Sequence, residues 1–202
     1  MFKFIKCLAA AACLSYALSG TAFADDKADL KAKLNAFNEF SASFVQEVTD
    51  KSGQEVMSSN GIIALQKPAK FMLHTLNPDE QVLFCAGNDI YFYDPFVNQV
   101  SIFSRSELSA SPFILLSDMS DNVWAHYDVR HENGVYIITP NRQGDIVNLR
   151  LSFKGSDIDT ISLVMKDGNI NTYKLSDGRR SADPQVFEYK IPEDAEVDDE
   201  RR

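Results

Sequence analysis

From residue 40 almost to the C-terminus, apolar and polar residues alternate in short runs, and turn-forming residues cut between the runs. The clearest run sets Val147, Leu149, Leu151 and Phe153 against Asn148, Arg150, Ser152 and Lys154. Successive side chains of a strand point to opposite faces, so such a run makes one dry face and one wet face. "FSASFVQEV" behaves likewise, with Phe40, Ala42 and Phe44 on one side. The strands expected on this basis are roughly 40–49, 55–65, 70–76, 81–86, 90–94, 98–104, 125–131, 134–139, 146–154, 159–166, 169–175 and 186–191. Between them stand "KSG", "NPD", "GN", "DP", "ENG" and "DG", the residues that hairpins use. Connections this short favour antiparallel neighbours, and the helices that parallel crossovers need are missing. A dozen such strands make one large sheet that must curl, and its concave apolar face needs cover.

Two segments can supply that cover. From Asp26 to about Phe37, Leu30, Leu34 and Phe37 fall at helical spacing among polar residues, so a short amphipathic helix is expected there. "SASPFILLSDMSDNVW" offers Ser111 as an N-cap and Pro112 at the first helical position, followed by Phe113, Ile114, Leu115 and Leu116. This second helix is apolar nearly all round, so one side of it must face something other than water.

The chain opens with the basic head "MFKFIK", runs through an apolar, Ala-rich stretch from Cys7 to about Leu18, and reaches "AFA" at Ala24. This is the layout of a secretory signal peptide over residues 1–24, which leaves residues 25–202 as one exported domain with its own core. The apolar stretch is too short to span a bilayer. "AAAC", ending at Cys13, loosely has the form of a lipidation signal, but a cut there leaves half the apolar stretch on the mature chain. Cys7 and Cys13 depart with the signal, so no intramolecular disulfide can form, and Cys85 in "QVLFCAG" reads as a small buried hydrophobe. The net charge of −9 grows more negative once Lys3 and Lys6 leave. Nucleic acid and anionic lipid headgroups are both repelled by that balance, so neither nucleic-acid binding nor stable membrane binding is expected.

Catalysis has no obvious seat. There is no Gly-x-Ser-x-Gly elbow, no phosphate-binding glycine loop, no Cys-x-x-Cys and no His-Glu-x-x-His. His74, His126 and His131 have no metal-ligand spacing, and His126 and His131 are expected near the two ends of one strand, facing opposite sides. The carboxylates lie in turns and in "PEDAEVDDERR", which reads as a solvated tail with ordinary pKa values. No enzyme activity, metal or cofactor is expected.

What remains is an apolar surplus between Phe71 and Leu116, densest in "IYFYDPFVNQVSIF" from Ile90 to Phe103. As a hairpin, this block places Ile90 and Phe92 on one face and Tyr91 and Tyr93 on the other, so it needs two apolar environments. Two readings stay open on composition: an ordinary sheet-and-helix core, or a cavity for an apolar ligand, with Phe92 favoured over Tyr91 for the cavity side.

The segments "FSASFVQEVTDKSGQEV", "QKPAKF", "NPDEQVLFCAGNDIYFYDPFVNQV", "SPFILL", "ITP" and "VDDERR" resemble those of the periplasmic outer-membrane lipoprotein carriers, the LolA family. The densest match is "YFYDPFVNQV", which resembles the family's Trp-Phe-Tyr-Asn-Pro-Phe-Val-Glu-Gln pattern. The resemblance implies an incomplete, half-open antiparallel β-barrel, mainly β with some α, whose concave side is covered by a lid of short helices. It implies a soluble periplasmic monomer acting as a chaperone and carrier. Its cargo is the acyl chains of lipoproteins released by an inner-membrane ABC transporter, and its destination is an outer-membrane receptor of similar fold.

Carried over by position, the resemblance puts Phe71, Leu73 and Ile161 on the acyl-chain cavity and Pro112, Phe113, Ile114, Leu115 and Leu116 on the lid, with Leu116 facing Ile161, and Phe44 and Phe92 are expected on the same cavity. Lys67 stands where the family has an arginine that hydrogen-bonds the lid closed, and a lysine offers a point charge in place of a planar fork. Leu73 stands where a tryptophan is usual, which makes the wall smaller there. Two other roles fit such a cavity. One is the lipidated receptor itself, for which only Cys13 could serve as anchor; the other is a lipid hydrolase, for which no nucleophile and base stand at recognisable spacing.

Overall fold

A computed structural model describes residues 21–104 and 112–201. The described residues begin with helix α1 (Thr21–Asn35) and then run as a meander of six strands: β1 (Glu39–Thr49), β2 (Glu55–Gln66), β3 (Lys70–Asn77), β4 (Gln81–Ala86), β5 (Asp89–Asp94) and β6 (Gln99–Ser104). Two short helices follow, α2 (Pro112–Ser117) and α3 (Asp121–Trp124). A second meander comprises β7 (Tyr127–Glu132), β8 (Val135–Pro140), β9 (Ile146–Lys154), β10 (Asp157–Met165) and β11 (Ile170–Arg179). A 3-10 turn (Pro184–Phe187) and strand β12 (Glu196–Asp199) complete it.

All twelve described strands belong to one sheet, ordered β12-β6-β5-β4-β3-β2-β1-β11-β10-β9-β8-β7. The two meanders join where β1 pairs with β11, Gln46 opposite Tyr173 and Val48 opposite Asn171. The sheet stays open, because β7 and β12 end it on opposite sides and do not pair with each other. That topology explains where the cover comes from. β6 and β7 lie near opposite edges, and α2, which falls between them in the chain, sits against β2 and β3.

The larger core lies on the concave face. Phe40, Ala42 and Phe44 of β1 meet Ile63 and Leu65 of β2, Phe71 and Leu73 of β3 and Leu149 and Leu151 of β9 beneath Leu30, Leu34, Leu115 and Leu116 of the helices. β9 keeps the alternation read from its sequence except at its start, where Val147 is exposed. A second, smaller core covers the other face of β2–β5, where Ala64, Met72, Val82 and Phe84 pack against Tyr91 and against Val186, Phe187, Tyr189 and Ile191. These strands are therefore apolar on both sides.

Two expectations about the C-terminus fail. Residues 186–191 do not form a strand: the segment turns through Pro184–Phe187, with Asp183 accepting a hydrogen bond from the Gln185 N–H, and lies across the outer face as a strap. Its alternating apolar residues serve that packing without any ladder. The acidic tail keeps its side chains exposed, as read from the sequence, while its backbone forms β12, parallel to β6 with Val197 opposite Val100, the one parallel pair among the described strands. Ladder formation uses the backbone alone, so the side chains of β12 can stay in water. Nor do the tail's carboxylates all keep ordinary pKa values: Asp199, hydrogen-bonded by the Arg201 side chain, is held down to about 2.

Candidate functional site

The strand register builds the floor of a cavity on the concave face. Ile63 of β2 lies opposite Leu73, Leu73 opposite Leu83, and Leu83 opposite Phe92, an apolar row across four strands. Beside it runs a more polar line in which Gln46 lies between Ser59 and Tyr173. Gly61 separates the two lines. A Cβ there would stand 2.0 Å from the His74 carbonyl oxygen and 2.9 Å from Cζ of Phe44, so only glycine lets the Phe44 ring and β3 approach so closely.

The cavity on this floor has a volume of about 260 Å³. Leu73, Leu83, Phe92 and Phe113 form its apolar side together with the Tyr173 ring, while Gln46, Ser59, Thr75 and Gln81 bring polar groups to it. Met57, Pro78 and Asp79 stand at its open side, where they are exposed.

Phe113 of α2 is the closing piece. Its ring stacks on Phe71 at a centroid distance of 5.3 Å and meets Tyr173 edge-on at 5.5 Å, bridging β3 and β11 over the strands between them. Leu115 and Leu116 are fully buried in the same core. Ser111 and the side chains of Pro112 and Ile114 lie outside the described residues.

The turn between β2 and β3 ties both covering helices down. The Lys67 ammonium donates to the carbonyl of Leu34 and, at 2.7 Å, to that of Phe37, and sits over the Phe37 ring 4.7 Å from its centroid. These acceptors lie at the C-terminal end of α1, where backbone carbonyls lack helical partners. Burial pulls the Lys67 amine down to about 8. Two residues on, the Ala69 N–H donates to the Ser117 carbonyl of α2 at 3.3 Å. Lys67 thus holds α1, and α2 is held by its neighbour's backbone. The far end of α1 is fixed by Asp26, which accepts the His131 N–H at 2.9 Å, by Asp29, which accepts the Tyr136 hydroxyl, and by a 2.6 Å ion pair between Lys31 and Asp121 of α3.

The sequence-derived candidates are distributed as follows. Leu73 and Phe92 line the cavity. Phe44, Phe71 and Ile161 are buried in the concave core under the helices, at 2%, 2% and 0% exposure, and contribute to its packed wall. In the aromatic hairpin, Ile90 joins the concave core with Phe92 facing the cavity, while Tyr91 stacks on Phe84 at 5.0 Å in the outer one. Gln46, Ser59, Thr75 and Tyr173 were not singled out from the sequence. For Gln46 a signal existed: it continues the period-two face of Phe40, Ala42 and Phe44 as a polar residue.

The histidines do other work. His74 hydrogen-bonds Glu80 at 2.8 Å on the outer face, and His131 stacks on Tyr136 at 4.1 Å. Among the described residues, no group of three or more His, Cys, Asp or Glu could hold a metal, and no helix is long and apolar enough to cross a membrane.

A family model described as "Outer membrane lipoprotein carrier protein LolA" matches residues 35–190. An outer-membrane lipoprotein carrier protein of Shewanella loihica is 31% identical over 192 residues, covering 93% of this chain and 92% of that one. One from Aeromonas salmonicida is 34% identical over 188 residues, with 91% and 93% covered. An uncharacterised conserved protein from Thermus thermophilus, at 14% identity, shares the fold with a TM-score of 0.51 over 89% of this chain and 99% of its own. With a matching profile across most of its length and full-length relatives above 30% identity, this chain belongs to the LolA family of outer-membrane lipoprotein carrier proteins.

Proposed function

We propose that the protein is a periplasmic carrier that shields the acyl chains of lipoproteins between its concave sheet and its helices. The observation that carries this reading is the cavity closed by Phe113, apolar on the side of Leu73, Leu83 and Phe92 and open at Met57 and Pro78. The curated relatives are named for carrying outer-membrane lipoproteins, which fits the same reading.

Magnitudes shape the mechanism. Each methylene moved out of water contributes ~0.8 kcal/mol, so one acyl chain of ~16 carbons is held against water by roughly 13 kcal/mol. Cargo is not lost to water. The exchange that matters runs between bilayer and cavity, two media of similar apolarity, so its net free energy is small. Transfer then requires a term that can be adjusted, and the covering helices supply it.

The cavity volume of about 260 Å³ lies below the ~300–1,000 Å³ of ordinary ligand pockets, so the closed form cannot take a long chain. Loading displaces Phe113 from Phe71 and exchanges protein contacts for contacts with the chain. In this scheme Phe44, Phe71, Leu73, Phe92 and Ile161 become the acyl-contacting wall, α2 is the lid, and Lys67 sets the resistance to opening by holding α1. Loading is driven by an inner-membrane ABC transporter, and unloading goes to an outer-membrane receptor that offers a better apolar site.

The test is lipoprotein release from inner-membrane vesicles by the wild type and by Phe71→Glu, which puts a charge beneath the lid. Release is expected to fall at least tenfold in the folded variant. Equal release by both proteins rules the cavity out as the carrier site.

A further inference from the structure

One polar atom of the cavity, the Tyr173 hydroxyl, takes no part in closing or packing. The Tyr173 side chain lines the cavity, is 6% exposed, and has no hydrogen-bond partner for its hydroxyl among the described residues. Its ring is fixed edge-on between Phe44, at 5.4 Å, and Phe113, at 5.5 Å. Burial pushes its pKa up to about 12, so it is a neutral phenol with one proton to donate. The hydroxyl opens onto the cavity, so a ligand acceptor can replace water as the partner of its proton.

Its neighbours on the floor are polar as well. Gln46 lies directly opposite Tyr173 across β1 and β11, and Ser59 lies opposite Gln46 across β1 and β2. The Ser59 hydroxyl donates to Gln46 Oε1 at 2.9 Å, which fixes the amide orientation. That leaves Gln46 Nε2 with only a long contact of 3.5 Å to Asn171. Two donors, a phenol O–H and an amide N–H, are therefore carried by directly opposed residues that line the cavity with Leu73, Leu83 and Phe92.

We propose that Tyr173 and Gln46 form a subsite for the carbonyl oxygen of an esterified acyl chain, so that the cavity recognises the ester linkage as well as the hydrocarbon. The inference deepens the carrier reading and rests on it. Donors without a nearby cation suit a neutral carbonyl. A free carboxylate is disfavoured by Asp79 at the open side of the cavity and by the chain's net charge of −9. The tail then extends along Leu73, Leu83 and Phe92, and the remainder of the lipid points towards Met57, Pro78 and Asp79.

The experiment compares three probes of matched length, methyl palmitate, hexadecyl methyl ether and palmitate, by displacement of an apolar fluorophore from the wild type and from Tyr173→Phe. The substitution keeps the ring and both aromatic contacts, and a thermal melt establishes that the variant is folded. The wild type is expected to favour the ester over the ether by about fivefold to tenfold, the size of one net hydrogen bond, and over palmitate by at least as much. Tyr173→Phe is expected to bind ester and ether equally while keeping the wild-type affinity for the ether. Equal binding of ester and ether by the wild type overturns the subsite and leaves the carrier reading standing, as does an ester preference that survives in Tyr173→Phe. Tightest binding of palmitate overturns the neutral-carbonyl assignment. Failure of all three probes to displace the fluorophore overturns the carrier reading and the subsite with it.

Discussion

The ammonium of Lys67 donates to the backbone carbonyl of Phe37 at 2.7 Å and to that of Leu34, so the β2–β3 turn holds the C-terminal end of the first helix through one flexible side chain. A lysine in that role can lose its proton, and burial brings its pKa down from 10.5 to about 8.

The sign of the resulting pH dependence follows from proton counting. Between about pH 8 and 10.5 the unfolded chain keeps the Lys67 proton and the folded chain has released it, so unfolding takes up a proton. Stability from this group therefore rises with pH across that window and is flat below it. Urea midpoints measured from pH 7 to 10.5 should show the rise in the wild type and lose it in Lys67→Met. The same variant should be less stable at pH 7 by ~1–3 kcal/mol, because the helix-end carbonyls lose their donor.

Gly61 is required by its neighbours. With a Cβ placed 2.0 Å from the His74 carbonyl oxygen, Gly61→Ala forces β3 and the Phe44 ring to move. Destabilisation of ~2 kcal/mol or more is expected, as for other overpacked cores, read as a lower denaturant midpoint at unchanged slope.

Tyr127 makes the opposite case. Its hydroxyl is buried without a hydrogen-bond partner among the described residues, and burial raises its pKa to about 12. Tyr127→Phe removes the unpaired group and keeps the ring, so thermal unfolding should be unchanged or shift upward, by the equivalent of ~1 kcal/mol at most.

The C-terminal strand depends on Arg201, whose guanidinium bonds both Asp199 and, at 2.8 Å, Asp89 of β5. In Arg201→Ala, hydrogen exchange at the Glu196 and Glu200 amides, which donate to Asn98 and Ile102, should quicken while the β1 and β2 amides stay protected. Asp199 is depressed from 3.8 to about 2, so its contribution is present above pH 4 and disappears as pH falls towards 2. The difference in exchange between variant and wild type should shrink across that interval.

The β hairpins were legible because period-two patterning and turn residues act locally: β4 and β9 fall at residues 81–86 and 146–154, as read from the chain. The failures share one cause. "VFEYKI" has a strand's alternation and packs on the outer face without a ladder, while "EVDD" has no apolar face and pairs with β6. Pairing is a property of the backbone, and a side-chain pattern reports burial alone.

The candidate site divides in the same way. Apolar surplus, the Pro112 helix and the aromatic hairpin were set by the sequence itself, because the hydrophobic effect depends on which side chains must leave water. Tertiary register alone decided that Gln46 faces Tyr173, that Gly61 admits Phe44, and that Lys67 reaches α1 while the Ala69 N–H reaches α2. Those relationships join residues far apart in the chain, and they exist only once the strands are aligned and the helices seated on them.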